Sequence, residues 1–104
     1  MVNTKEYDIF LRKLFNAAEK NNSLFYDIVG SNFTITGSIV VDSIETETDL
    51  FSDFYINDIN GRNVLSINNI EELDFIYCED TSGTTVSFYD KINNTSIIIE
   101  FDNY

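Results

Sequence analysis

Between residues 4 and 20 the apolar positions Tyr7, Phe10, Leu11, Leu14, Phe15 and Ala18 recur at spacings of three and four, which traces one face of an α-helix. Asn3 followed by Glu6 predicts a capping box at its start. Arg12, Lys13 and Lys20 lie in its C-terminal half, where cations suit the helix dipole, and Asn21-Asn22-Ser23 predicts its end. From Leu24 onward the period falls to two, the spacing of strands with one face toward a core.

Turn residues divide this second region into hairpins. Gly30-Ser31 between Leu24–Val29 and Asn32–Val41 sets Tyr26 opposite Ile35 and Ile28 opposite Phe33, with Asp27 opposite Thr34 and Phe25 opposite Thr36 on the other face. Asn60-Gly61 is the strongest turn signal; it aligns Phe54 with Ile67 and Ile56 with Leu65, and on the other face Tyr55 with Ser66 and Ile59 with Arg62. Between Leu73 and Phe101, turns at Ser82-Gly83 and Asn93-Asn94 predict three strands. Tyr77 then faces Phe88, Glu79 faces Val86, Phe88 faces Ile99 and Val86 faces Phe101. The opposite face carries Ile76, Tyr89 and Ile98 in one row, with Cys78 beside Ser87. A solvent-facing surface does not need such a row.

The expected fold is therefore α+β: one N-terminal amphipathic helix (4–20) packed on a meandering antiparallel β-sheet of about six or seven strands (24–101), with partial closure into a barrel as the variant. At 104 residues the chain forms one domain, 1–104, with one core and no room for an interdomain cleft. With 43% hydrophobic and 14% aromatic residues it is globular despite a net charge of −12.

Composition excludes much chemistry. There is no His and a single Cys, Cys78, so Cys–His nucleophiles and zinc sites are not expected, and no enzyme activity or cofactor is read from the chain. Asp58-Ile59-Asn60-Gly61 looks like part of a calcium loop, but placing Gly61 sixth puts Ile56 and Ile67 at ligand positions, so it reads as a hairpin turn. Six basic residues against 18 acids disfavour direct nucleic-acid binding. No apolar run reaches membrane-spanning length and no signal-peptide pattern opens the chain, so a cytoplasmic setting is expected.

The acidity itself is uneven. Residues 1–20 carry Lys5, Arg12, Lys13 and Lys20 against Glu6, Asp8 and Glu19, a net of +1; residues 21–104 carry only Arg62 and Lys91 against 15 acids, a net of −13. Between Lys20 and Arg62 seven acids occur with no base. Within that gap Ile44–Leu50 alternates strictly, so an extended backbone projects Glu45, Glu47 and Asp49 from one side at about 6.6–6.8 Å, near the pitch of backbone phosphates. Asp42, Asp53 and Asp58 flank this row, and a second cluster, Glu71, Glu72, Asp74, Glu79 and Asp80, brackets the strand at Leu73. For each acid taken alone, a solvated surface is the simpler account.

Together the asymmetry, the scarcity of Lys and the regular row point to a small acidic inhibitor. It would bind a basic groove of another protein, the nucleic-acid channel of a nuclease, with carboxylates standing in for phosphates. The expected contact residues are Asp42, Glu45, Glu47, Asp49, Asp53 and Asp58, with Tyr55 and Tyr89 as aromatic anchors. In composition the chain resembles the acidic anti-CRISPR and anti-restriction proteins of phages and mobile elements. The alternatives are an immunity protein that neutralises a bacterial toxin, and an assembly module that forms a homo-oligomer through a sheet edge or the Ile76/Tyr89/Ile98 face.

Overall fold

In the computed structural model, which describes residues 4–46 and 53–102, the helical period at the N-terminus becomes helix α1, Thr4–Lys20. Tyr7, Phe10, Leu14 and Ala17 are its buried seam, Leu11 and Ala18 are half-buried, and Phe15 is 46% exposed. The buried face is thus rotated away from Phe15 and toward Ala17, because Phe10 is the residue that enters the middle of the sheet. Its ring centre lies 5.5 Å from Phe88, 5.8 Å from Phe54 and 6.0 Å from each of Tyr7, Phe75 and Phe101. All five pairs are tilted or edge-on, the arrangement that the ring quadrupoles favour. Asn3 of the expected capping box lies outside the described residues.

The helix stops where Asn21 takes a left-handed conformation (φ 52°), and the Asn22 N–H closes back on the Ala17 carbonyl at 2.9 Å. The same stop docks it onto the sheet. The Asn21 side-chain amide donates to the Val41 carbonyl at 3.0 Å, and the Val41 N–H donates to the Asn22 carbonyl at 3.0 Å. Near the other side of the sheet Tyr7 stacks edge-on against Phe75 at 5.6 Å, so the helix crosses the concave face diagonally.

Seven antiparallel strands follow: β1 Ser23–Val29, β2 Thr34–Thr46, β3 Phe54–Asp58, β4 Asn63–Ile67, β5 Asp74–Glu79, β6 Gly83–Asp90 and β7 Thr95–Asp102, with a 3-10 turn Ile70–Glu72 before β5. Their order is β4-β3-β2-β1-β7-β6-β5. Chain neighbours pair throughout except at one step: β4 and β5 are the two edges, and β1 pairs with β7 to join the halves.

That order forces the sheet to curl. Laid flat, its edges would stand about 29 Å apart, whereas the seven residue steps from Ile67 to Asp74 reach only about 25 Å even fully extended. Three of the connecting residues are also wound into the 3-10 turn. Phe54 on β3 and Phe88 on β6, about 19 Å apart along a flat sheet, meet at 6.1 Å. The bend falls in β2. Its first half pairs with β1 and its second half with β3, with a bulge between Val41 and Ser43 at the junction. The chain thus folds β3 and β4 back over the concave face beside the helix, and the core of Leu24, Ile39, Val41, Phe54, Ile56, Ile67, Ile70, Val86, Phe88, Ile99 and Phe101 lies inside.

Three of the four hairpins keep the expected faces and change the expected partners. Tyr77 pairs with Val86 and Phe75 with Phe88, not Tyr77 with Phe88; Glu79 meets Thr84, not Val86; Val86 pairs with Ile99 and Phe88 with Ile97. Tyr26 meets Gly37 and Ile28 meets Ile35, with Asp27 and Phe25 moved onto Thr36 and Ser38. Each shift is two residues, which preserves the side of every side chain.

The turns explain the shifts. The Asp80 carboxylate accepts the Ser82 N–H (2.8 Å), the Ser82 hydroxyl (2.6 Å) and the Gly83 N–H (3.1 Å), which centres that turn on Thr81-Ser82 and not on Ser82-Gly83. The Gly30 N–H donates to the Phe33 carbonyl, centring the first on Ser31-Asn32. A Cβ at Gly30 would collide with the Phe33 ring, so glycine there permits a close approach. Before β7 the loop is four residues, Lys91–Asn94, with Asn94 left-handed (φ 49°) and Asp90 accepting the N–H groups of Ile92 and Asn93.

Only the Asn60-Gly61 hairpin has the expected ladder, Phe54–Ile67, Tyr55–Ser66 and Ile56–Leu65. Its tip differs. Gly61 is left-handed (φ 77°) at the end of a three-residue loop, and Arg62 pairs with Asp58 and not with Ile59.

Candidate acidic surface

The bulge in β2 decides which acids face outward. Ile39, Val41 and Ile44 point to the core, and the extra residue between Val41 and Ile44 leaves Asp42 and Glu45 both exposed. Across the ladder Glu45 is paired with Tyr55, and Tyr55 with Ser66, on the convex side. Beside them the Asn57 side chain donates to the Ser43 hydroxyl at 3.1 Å. Glu45 is thus the described part of the expected row; Glu47 and Asp49 lie outside the described residues.

Several expected contact residues are engaged in holding loops. Asp58 accepts the N–H groups of Asn60 and Arg62, each at 2.9 Å, and so caps the β3–β4 loop. Asp53 accepts the Asn69 N–H at 2.9 Å and ties the start of β3 to the end of β4. Asp80 and Asp90 do the same work at their turns, and these hydrogen bonds, from Ser82 and Asn93 first, hold both carboxyls below the usual aspartate range. Such a carboxylate keeps its negative charge while its lone pairs are shared.

In the second cluster Glu79 lies 3.7 Å from the Lys13 ammonium and accepts the Tyr77 hydroxyl at 2.7 Å, while Asp74 pairs with Lys91 at 3.4 Å. Burial, with Glu79 adding to it, pushes the Tyr77 phenol up to about 12. Asp42 and Glu45 make no ion pair among the described residues. The structure therefore brings Asp42, Glu45, Asp53, Tyr55 and Asp58 together along β2 and β3, and separates Tyr89 from them.

Tyr89 sits on β6 between Asp74 and Ser96, and its hydroxyl donates to the Asn94 side-chain oxygen at 2.8 Å. The expected apolar row is correspondingly interrupted. Ile76 is opposite Ser87, Ser87 is opposite Ile98, and Cys78 is beside Thr85 and not Ser87, because the turns moved. Ile76 remains 58% exposed, while Tyr89 and Ile98 are half-buried.

A feature the sequence reading passed over is an open cleft of about 260 Å³ on the concave side, lined by Ser66–Asn69 and Leu73 on one lip and by Phe88, Asp90, Thr95 and Ile97 on the other. The isoleucine run before Glu100 carried a partial signal, since consecutive apolar residues imply burial on both faces. Among the described residues no three His, Cys, Asp or Glu converge as metal ligands, and no helix is long and apolar enough to cross a membrane. No protein-family model matches the chain, and no curated protein or solved structure matches it significantly.

Proposed function

We propose that the protein is a small acidic inhibitor whose β2–β3 convex surface enters a basic groove of a partner protein, of the kind that a nuclease uses to hold nucleic acid. The observation that carries this reading is the uncompensated acidity of one ladder. Asp42 and Glu45 are exposed next to Tyr55, in a stretch from Lys20 to Arg62 that holds seven acids and no base. Asp53 and Asp58 add fixed negative charge from the adjoining loops. A hydrogen-bonded strand pair holds such charges on one surface, which raises the rate of encounter with a positive groove. The anti-CRISPR and anti-restriction type of inhibitor has this profile, and an immunity protein directed at a basic toxin site would use the same surface.

The test is inhibition of DNA cleavage by purified CRISPR-effector and restriction nucleases, with the wild type and the triple variant Glu45→Gln/Glu47→Gln/Asp49→Asn. Inhibition relieved by excess duplex DNA and by salt, and at least about tenfold weaker in the variant through slower association, supports the reading. Inhibition indifferent to salt and to the triple substitution overturns phosphate mimicry, as does the absence of inhibition with retained fold.

One observation favours the assembly reading instead: Ile76 stands 58% exposed on the edge strand β5. Ser87 and Ser96, which interrupt its row, reduce the apolar area available there.

A further inference from the structure

On the concave face, cross-strand partners place Phe75, Phe88, Ile97, Ile28 and Ile35 in one continuous apolar row running from β5 through β6, β7 and β1 to β2. Its cover is uneven. Phe88 is buried under the helix, Ile97 and Ile28 are half-buried, and Ile35 is 51% exposed at the far end, beside Phe33, also 51% exposed, whose ring lies over Gly30. The 260 Å³ cleft opens onto this row, with Leu73 and Ile67 on its other lip. The helix and the folded-back β3–β4 pair thus close only part of the concave side.

Around the cleft the charges are nearly all of one sign. Asp90 lines it; Asp53 is hydrogen-bonded to Asn69 on its lip; and Glu71 and Glu72, both exposed, precede Leu73. Lys91 is the one base among these four acids and their immediate neighbours, and it pairs with Asp74, which lies on the opposite face beside Tyr89.

We propose that this cleft, together with the uncovered end of the apolar row that leads out of it, is a docking site for a basic amphipathic segment of a partner protein, whose apolar stripe lies along Ile97, Ile28, Ile35 and Phe33 while its Lys and Arg side chains meet the acidic rim. Charge complementarity selects that occupant. A second copy of this chain brings a second net charge of −12 against the rim, and nucleic acid or an anionic membrane is repelled in the same way. A small molecule is poorly served, since the opening is below the roughly 300–1,000 Å³ of typical ligand pockets. An amphipathic segment places apolar side chains into such a groove at helical spacing, with no need for a deep cavity. Apart from Asp53 this surface shares no acid with the β2–β3 convex ladder, and the inference stands or falls without nuclease inhibition.

The probe is a synthetic 18-residue Leu/Lys peptide with its leucines on one helical stripe, compared with a scrambled peptide of the same composition. Isoleucine methyl NMR on the full chain reads the site, with buried Ile56 and Ile99 as internal references. Expected are shifts centred on Ile28, Ile35 and Ile97, and binding at least tenfold tighter than for the scrambled peptide. Phe33→Ser/Ile35→Ser weakens binding at least tenfold, and Glu71→Lys/Glu72→Lys, at two exposed side chains of the 3-10 turn, gives a similar loss with a flatter salt dependence. Equal binding of both peptides, shifts centred on Ile76 and Ile98, or wild-type dimers whose formation shifts Ile28 and Ile35 each overturn the proposal. Should the serine variant unfold, the lysine variant and the methyl map decide it alone.

Discussion

Phe10→Ala is the perturbation that most directly tests the helix as the plug of a curled sheet. Phe10 is fully buried and its ring meets five other aromatic rings contributed by α1, β3, β5, β6 and β7, so its removal leaves a void that no single element can fill by shifting. A buried Phe→Ala change costs about 3–5 kcal/mol, transfer and cavity terms together. For a chain of 104 residues the whole stability is about 5–15 kcal/mol, so the variant loses about a fifth of it at best and all of it at worst. At about 4–8 °C per kcal/mol, melting falls by at least about 12 °C. The internal control is Phe15→Ala on the same helix. Hydrophobic periodicity gives the two residues the same standing, yet Phe15 is 46% exposed, and its removal should cost less than about 1 kcal/mol. Urea titration of both variants followed by circular dichroism is the assay. Equal losses, or a Phe10→Ala loss under about 1.5 kcal/mol, refute the placement of the helix.

Two further outcomes are expected. Gly37→Val should destabilise by about 1–3 kcal/mol in urea melts, because a Cβ there collides with the Tyr26 ring packed across the β1–β2 pair; Tyr26→Ala in the same background should recover part of the loss. Stability should also fall between pH 10 and 12. Burial pushes the Tyr7 phenol up to about 12, and Tyr77 stands at a similar value, whereas unfolded tyrosines ionise near 10. With the folded values raised, the contribution is complete below pH 10 and is lost as pH rises through 12, by up to about 2–3 kcal/mol for Tyr7. Tyr7→Phe should flatten that slope in pH-dependent melts.

What the sequence determined by itself was everything carried by local period. The helix over 4–20, the strand faces and the inward residues Tyr7, Phe10, Leu14, Val86, Phe88, Ile99 and Phe101 follow from spacings of 3.6 and 2, and the tertiary fold cannot reverse them without burying charge. The Phe54–Ile67 ladder was legible too, since Asn60-Gly61 marked its turn. Registers elsewhere were not. Asp80 and the Lys91–Asn94 loop, like Gly30 under the Phe33 ring, set turns one position away from the residues that look most turn-like, and alternation is blind to a slip of two.

Only the tertiary structure decided the rest, because it depends on contacts between residues far apart in the chain. The β1–β7 pairing makes β4 and β5 the edges, the short link between those edges curls the sheet, and the bulge after Val41 turns Asp42 and Glu45 outward together. The same curl buries Phe54 against Phe88 while leaving Ile35 and Phe33 exposed at the far end of the apolar row that starts at the cleft. An apolar residue in a strand states that it wants cover, and how much it receives is set by where the helix and the neighbouring strands come to rest.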